Sequence, residues 1–421
     1  MTLAIAVSGE VNAGAHFLEP WALCYLGPMS TPNFEKLLKA GDVEKARAEA
    51  QAALQQNPSD RRALLALAKL AALEGNEDQA ESLLQKVAGG TVDDEADAQL
   101  VRAALHMQKG EFEQAGAIYM KLSEDPPRAE ALYGVGFFLA EAEQNELAKK
   151  ALVKAVELEP EVGVYHFQLA RVLFALGELK GAFEHLETSL KLNPGHIPSY
   201  LVFAIALQAG GELGAAEEIL RGGLKAFPDE PHMLEQLSNV LAGKGDINGA
   251  AEVAEQLAKV QPNHPSAIGN LARFRMAQGR YGDALSLCQA LAERGLATGQ
   301  SRSVEAMIYE AMNPPDVEGA QAAWRAAADL DPEDWRAPNN LGLLLMRGPE
   351  VETIREGRDA LEEAHRRDPD RPEPRLNLAL VCVKLGEKAR AKELMKDLQG
   401  RAATLEPEQR EQVERLAKQL A

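Results

Sequence analysis

His196 and His264 fall at the same phase of two turns, just after Asn193-Pro194 and Pro262-Asn263, and His232 lies close to that phase. Imidazoles in register along one edge could bind metal ions. A repeated turn also puts like residues in register with no ligand involved. No H-E-x-x-H and no paired-cysteine motif accompanies these histidines, so no metal is expected. Cys24, Cys288 and Cys382 are too few and too scattered for a disulfide framework. Cys288 and Cys382 stand among apolar residues on predicted helices and read as small buried side chains. There is no G-x-x-x-x-G-K-[ST] phosphate loop, and Gly134-Val135-Gly136 has no third glycine. Carboxylates are plentiful, but a Glu–Asp pair on a solvent face says little about acid–base chemistry. These residues point away from an enzyme and from any cofactor, and toward binding.

The elements that would position a binding surface are set by a period. A small residue returns at Ala46, Ala80, Ala115, Ala148, Ala182, Ala216, Ala250, Ala284, Ala320, Gly357 and Ala391, in steps of 33 to 37. Such self-similarity is the signature of a stacked repeat. Between Val162 and Pro194, apolar residues at Val164, Phe167, Leu169, Val172, Leu173 and Leu176 follow the spacing of an amphipathic helix. Gly177 ends it, because glycine tolerates the left-handed conformation of a C-terminal cap. A second helix carries Ala182, Phe183, Leu186, Ser189 and Leu190, and Asn193-Pro194 stops it. Neither helix buries its face alone, whereas stacked hairpins share a continuous core. The small residue lets the two helices approach closely.

The pattern resembles the tetratricopeptide repeat. Matching marks are Asn270-Leu271-Ala272, Asn340-Leu341-Gly342 and Asn377-Leu378-Ala379. Turn glycines at 41, 75, 110, 177, 211, 245, 279 and 386 each precede the small second-helix residue by five positions. Prolines 58, 127, 160, 194, 228, 262, 332 and 369 each follow it by twelve. The resemblance covers about nine-tenths of the chain. It implies an all-α fold: a right-handed α-solenoid of about eleven hairpins with a C-terminal capping helix. Some units depart from the pattern. Glu143 replaces a turn glycine, Val92 and Leu296 replace closing prolines, Pro314-Pro315 sits in the ninth turn, and the tenth unit carries an insertion at 347–353. Local changes of superhelical angle are expected near the last two.

One elongated solenoid over residues 29–403 is therefore expected rather than several globules. Residues 1–28 belong to no repeat and are read either as a disordered arm or as an over-extended start. They contain no Lys or Arg, so the positive region of a secretory signal is missing, and Leu23 before Cys24 makes a poor lipid-attachment box. Residues 404–421 read as the capping helix, with Thr404 as its cap and Val413, Leu416, Ala417 and Leu420 as its apolar stripe. No stretch approaches the roughly 18 apolar residues of a spanning helix. The formal charge of −19 argues against nucleic-acid binding, which needs Lys and Arg to neutralise phosphates. Residues 331–421 hold 17 basic and 19 acidic side chains, so the acidity lies mostly upstream.

In tetratricopeptide arrays the first helix of each hairpin lines the concave face. Peptide-binding members often place an asparagine two residues before the small residue of that helix. An amide suits a peptide backbone, carrying both donor and acceptor. Units five to eleven have Gln168, Val202, Gln236, Asn270, Ala306, Asn340 and Asn377 there. Flanking positions put Tyr133, Phe137, Phe167, Phe174, Leu201 and Ile205 in units four to six, a groove for an apolar or helical partner segment. Arg171, Asn239, Arg273 and Tyr309 add polar lining. The same residues also suit packing, since asparagine bridges adjacent helices and aromatics close the stack.

The leading expectation is a bacterial, cytoplasmic, non-enzymatic scaffold or adaptor that holds a protein or peptide segment on its concave face. Changing Phe167 and Phe174 to Ser should abolish capture and leave helicity intact. Two rivals remain: an envelope-associated assembly factor for polysaccharide or pilus export, and a regulatory subunit of a separately encoded enzyme such as a glycosyltransferase. Partner identity and oligomeric state are not legible in these residues.

Overall fold

The computed structural model describes Leu37 and residues 43–124, 126–400 and 405–420. The expectations for residues 1–28, Cys24, Gly41 and Thr404 lie outside them. Among the described residues there are 22 α-helices and no strand. In chain order they are α1 Val43–Gln56, α2 Arg61–Leu73, α3 Glu77–Val87, α4 Val92–Gln108, α5 Phe112–Leu122, α6 Ala129–Glu141, α7 Asn145–Leu158, α8 Gly163–Ala175, α9 Leu179–Leu192, α10 Ile197–Ala209 and α11 Leu213–Ala226. Then come α12 Pro231–Gly243, α13 Ile247–Val260, α14 Pro265–Ala277, α15 Tyr281–Glu293, α16 Gly299–Ala311, α17 Val317–Leu330, α18 Arg336–Leu345, α19 Val351–Arg367, α20 Pro372–Lys384, α21 Lys388–Gly400 and α22 Pro407–Leu420. The chain divides into two compact units, Met1–Val240 and Leu241–Ala421, with the division inside α12. Each is a stack of helical hairpins.

The turn inside a hairpin follows from one left-handed residue. After α8, the N–H of Gly177 donates to the Phe174 carbonyl at 3.0 Å and that of Glu178 to Leu173 at 2.8 Å, with Gly177 at φ 79°. This is the Schellman pattern, which satisfies the carbonyls left over at the helix end. The same pair of bonds recurs after α2, α4, α10, α12, α14 and α20. Glu143 makes it too, at φ 58°, so the departure seen in the sequence changes the residue and not the turn. Where the closing proline is missing, Gly89 and Gly295 take positive φ at the end of the second helix and stop it instead.

The recurrent small residues sit where the two helices meet. Ala46, Ala80, Ala115, Ala148, Ala182, Ala216, Ala250, Ala284, Ala320 and Ala391 are each 0% exposed. First helices are the enclosed ones: α8 buries ten of its 13 residues, while its partner α9 buries only Ala182, Leu186 and Ser189. This asymmetry makes the first helices the inner layer of each stack. In the second unit, α18 has ten residues and α19 has 17, so the insertion lengthens the following helix. The Asn313–Pro314 bond is cis. At the C-terminal end α22 buries Val413, Leu416 and Leu420 in one cluster with Met395 and Leu398 of α21.

Candidate partner-binding face

In the first unit, three successive first helices carry the expected apolar group. Tyr133 on α6 and Tyr165 on α8 stack with ring centroids 5.2 Å apart. Phe167 on α8 lies edge-on to the His196 ring at 4.7 Å. Both Tyr133 and Phe167 are buried, Phe167 to 1% exposure. They are packing groups that tie one hairpin to the next, because an aromatic ring at this register reaches the neighbouring hairpin before it reaches solvent. Phe167→Ser would empty a buried aromatic site at a cost of about 3–5 kcal/mol, so a loss of capture in that variant would not by itself mark a binding residue. Phe137, Phe174, Leu201 and Ile205 are half-buried and remain on the accessible side.

The amides fare differently from one another. Gln168 is 1% exposed; its Oε1 accepts from Arg171 at 3.0 Å, and its Nε2 finds no hydrogen-bond partner among the described residues. Arg171 also pairs with Glu141 at 3.7 Å. Gln236 on α12 donates to Oε1 of Gln208 on α10 at 3.0 Å, and Asn239 is half-buried nearby in sequence.

In the second unit, Asn270 is buried on α14, and its Oδ1 lies 3.4 Å from Arg273, whose guanidinium sits 4.7 Å from the Phe274 ring centroid. Burial lowers the pKa of that guanidinium. Tyr309 on α16 faces Glu305 at 3.5 Å, and burial followed by the Glu305 charge raises its phenol. Asn377 on α20 donates to Asn339 Oδ1 at 2.9 Å, and Asn339 donates to Asn340 Oδ1 at 3.3 Å. Asn340 and Asn377 are half-buried, while Asn339 between them is buried. The structure thus brings three amides together across α18 and α20. A fixed donor–acceptor array of this kind can meet the N–H and C=O groups of an extended peptide.

Ion pairs not anticipated in the sequence lie on the first helices nearer the N-terminus. Lys69 on α2 approaches Glu130 on α6 at 3.5 Å, and Arg128 meets Asp97 on α4 at 3.0 Å. Burial raises the Asp97 carboxyl, against the opposing charges of Lys69 and Arg128. The signal was present only as charged residues at register positions otherwise apolar.

Among the described residues no group of three or more His, Cys, Asp or Glu converges as metal ligands. His196 is buried and His264 exposed. Burial pushes the Cys288 and Cys382 thiols up to about 12, so both stay protonated. No described helix is long and apolar enough to cross a membrane.

Comparison with solved structures finds hairpin arrays throughout. Yeast Tom70 aligns over 92% of this chain and 87% of its own, at 15% identity and a TM-score of 0.51. The human IFIT1 dimer with m7Gppp-AAAA aligns over 93% and 96%, at 17% identity and 0.45. Pseudomonas aeruginosa PilF aligns over 48% and 92%, at 20% identity and 0.40. At 15% identity the likeness to Tom70 speaks for the fold alone. Comparison with curated protein sequences gives no match. Tetratricopeptide repeat models match residues 37–105, 173–237 and 241–307, and in a second form residues 139–197 and 315–353. Taken with the hairpin stacks and their shared turn, those matches mean that this chain belongs to the tetratricopeptide repeat family.

Proposed function

We propose that the protein is a non-enzymatic cytoplasmic scaffold that holds an apolar or helical segment of a partner protein against the first helices of its N-terminal unit. The tetratricopeptide repeat fold is in general a protein-interaction scaffold. The observation that carries the finer reading is the half-buried set Phe137, Phe174, Leu201 and Ile205 on α6, α8 and α10. Large apolar groups left partly open on the inner layer of a stack are the usual anchors of a bound helix. The amide array of Asn339, Asn340 and Asn377 supports a second contact, with the backbone of an extended segment.

The test is the double variant Phe174→Ser, Ile205→Ser. Affinity purification of the wild-type chain identifies its partner by mass spectrometry, and capture of that partner is expected to fall at least ten-fold in the variant with helicity unchanged. Full capture by a folded variant overturns the assignment. Turnover of a substrate by the purified chain alone overturns the non-enzymatic reading.

A further inference from the structure

The histidines that partner binding leaves unused converge on one helix of the first unit. His185 on α9 meets His166 on α8, Nδ1 to Nδ1, at 2.9 Å, and His166 Nε2 lies 2.9 Å from the Pro160 carbonyl oxygen. A carbonyl only accepts, so His166 keeps its proton on Nε2 and offers a lone pair at Nδ1; His185 donates into it. One turn along α9, on the same face, Ser189 Oγ lies 2.9 Å from Ser199 Oγ on α10. Ser199 Oγ lies 2.7 Å from His196 Nδ1. Ser189, Ser199 and His196 are all buried, and the His196 ring packs edge-to-face with Phe167. One imidazole pair therefore ties α9 to α8, and the Ser189–Ser199 pair, held from behind by His196, ties α9 to α10.

We propose that these two chains form a proton-operated clasp on α9, closed by neutral imidazoles at neutral pH and opened by mild acid, which loosens the fifth hairpin.

The order of protonation follows from the geometry. His185 can take a proton at Nε2 with its bond to His166 intact. His166 can take one only at Nδ1, where two N–H groups would then face each other at the present 2.9 Å. A proton on His196 makes both ring nitrogens donors on a buried cation, Nδ1 facing Ser199 and Nε2 finding no hydrogen-bond partner among the described residues. Burial lowers all three imidazoles, His196 to about 4, and the His166 charge adds to the lowering at His185. Around them, Glu184 on α9 pulls His185 upward, and Glu159 lies buried in the approach to α8. Arg171 on α8 is engaged with Gln168 and Glu141, and Lys149 on α7 with Glu178. Glu187 and Lys191 pair with each other on α9, Glu217 and Arg221 on α11, and α10 has no charged residue. Nothing among these would neutralise a cation at His196.

Amide hydrogen exchange of the full chain at pH 7.5, 6.0 and 5.0, corrected for intrinsic rates, tests the clasp. Protection in α9 and the first turn of α10 should fall at least ten-fold by pH 5.0, while α14 and α15 of the second unit keep theirs. In His196→Asn, whose amide can bond Ser199 without titrating, the pH dependence in α10 should flatten. Circular dichroism at pH 7.5 checks that this variant folds. Should it not fold, a proton NMR titration of the wild-type imidazoles decides, with His196 expected to titrate far below 6.5. Unchanged protection in α9, an equal loss in both units, or a His196 titrating near 6.5 overturns the clasp. None of these readouts uses a partner, so their failure leaves the proposed binding face untouched.

Discussion

Gly342 on α18 and Gly357 on α19 stand back to back. A Cβ on Gly342 would fall 2.8 Å from the Gly357 carbonyl oxygen and 2.5 Å from Leu361 Cγ, and one on Gly357 would fall 3.1 Å from the Gly342 carbonyl oxygen. The small residues that recur on the first and second helices of a unit are thus two sides of one contact. Gly342→Ala meets backbone that cannot swing aside and should cost about 1–3 kcal/mol. Gly222→Ala, on the exposed side of α11 with nothing within 4 Å, should stabilise by up to about 1 kcal/mol. Urea midpoints of the two variants should move in opposite directions.

Glu143 occupies a left-handed turn position without being glycine. A side chain there costs about 1–2 kcal/mol, part of which is returned by the stiffer unfolded chain. Glu143→Gly should raise the thermal midpoint, by an amount equivalent to about 0.5–1 kcal/mol. Gly177→Ala, at φ 79°, should lower it by a similar amount.

The pair Glu230–His232 at the start of α12 gives a pH signature. His232 Nδ1 lies 3.0 Å from Glu230, whose carboxylate also accepts from the backbone N–H groups of His232 and Met233. The bond to Glu230, against burial, raises the imidazole pKa. Burial would raise Glu230, but its bonds to His232 and Met233 outweigh that and lower it. A raised histidine stabilises fully below its unfolded value of about 6.5, and that support is lost as pH climbs through the folded value. A lowered carboxylate stabilises above its unfolded value of about 4.3, and loses that support as pH falls through the folded one. The pair therefore helps most between these two limits. His232→Ala should cost more stability at pH 5.5 than at pH 8.5, measured as the wild-type minus variant difference in denaturant midpoint. Equal differences at both pH values would count against the pair.

Asn339 links Asn340 and Asn377, so its removal strands two amides at once. Asn339→Ala should cost about 1–3 kcal/mol and Asn377→Ala about 1 kcal/mol. A double-mutant cycle between them should show a coupling of at least about 0.5 kcal/mol. A coupling of zero would mean that the bond between α18 and α20 contributes nothing.

Much of this was legible in the residues. Period, hairpin, turn and close-contact positions follow from spacing, because each is a local property of one or two helices. Glu143 could be placed in its turn although its type argued against it. Tyr133, Phe167 and Gln168 could be placed on the inner layer, but not above or below its surface. That depends on how far a ring from the next hairpin, such as Tyr165 or His196, reaches across. His166 and His185 meet across a turn with no periodic mark, and Lys69 and Glu130 meet across an intervening hairpin. Contacts set by stacking are invisible to a reading that treats each helix alone.

The turn after each first helix has a further consequence for how such a chain can be edited. Gly177 and Gly211 have nearly the same φ, 79° and 81°, and a Cβ on either would meet nothing within 4 Å. Both are followed by the same dipeptide, Glu178-Leu179 and Glu212-Leu213. Excising residues 178–211 would join Gly177 to Glu212 and leave every junction sequence as it was. The left-handed glycine is a splice point, at which whole units can be lost or duplicated without composing a new turn.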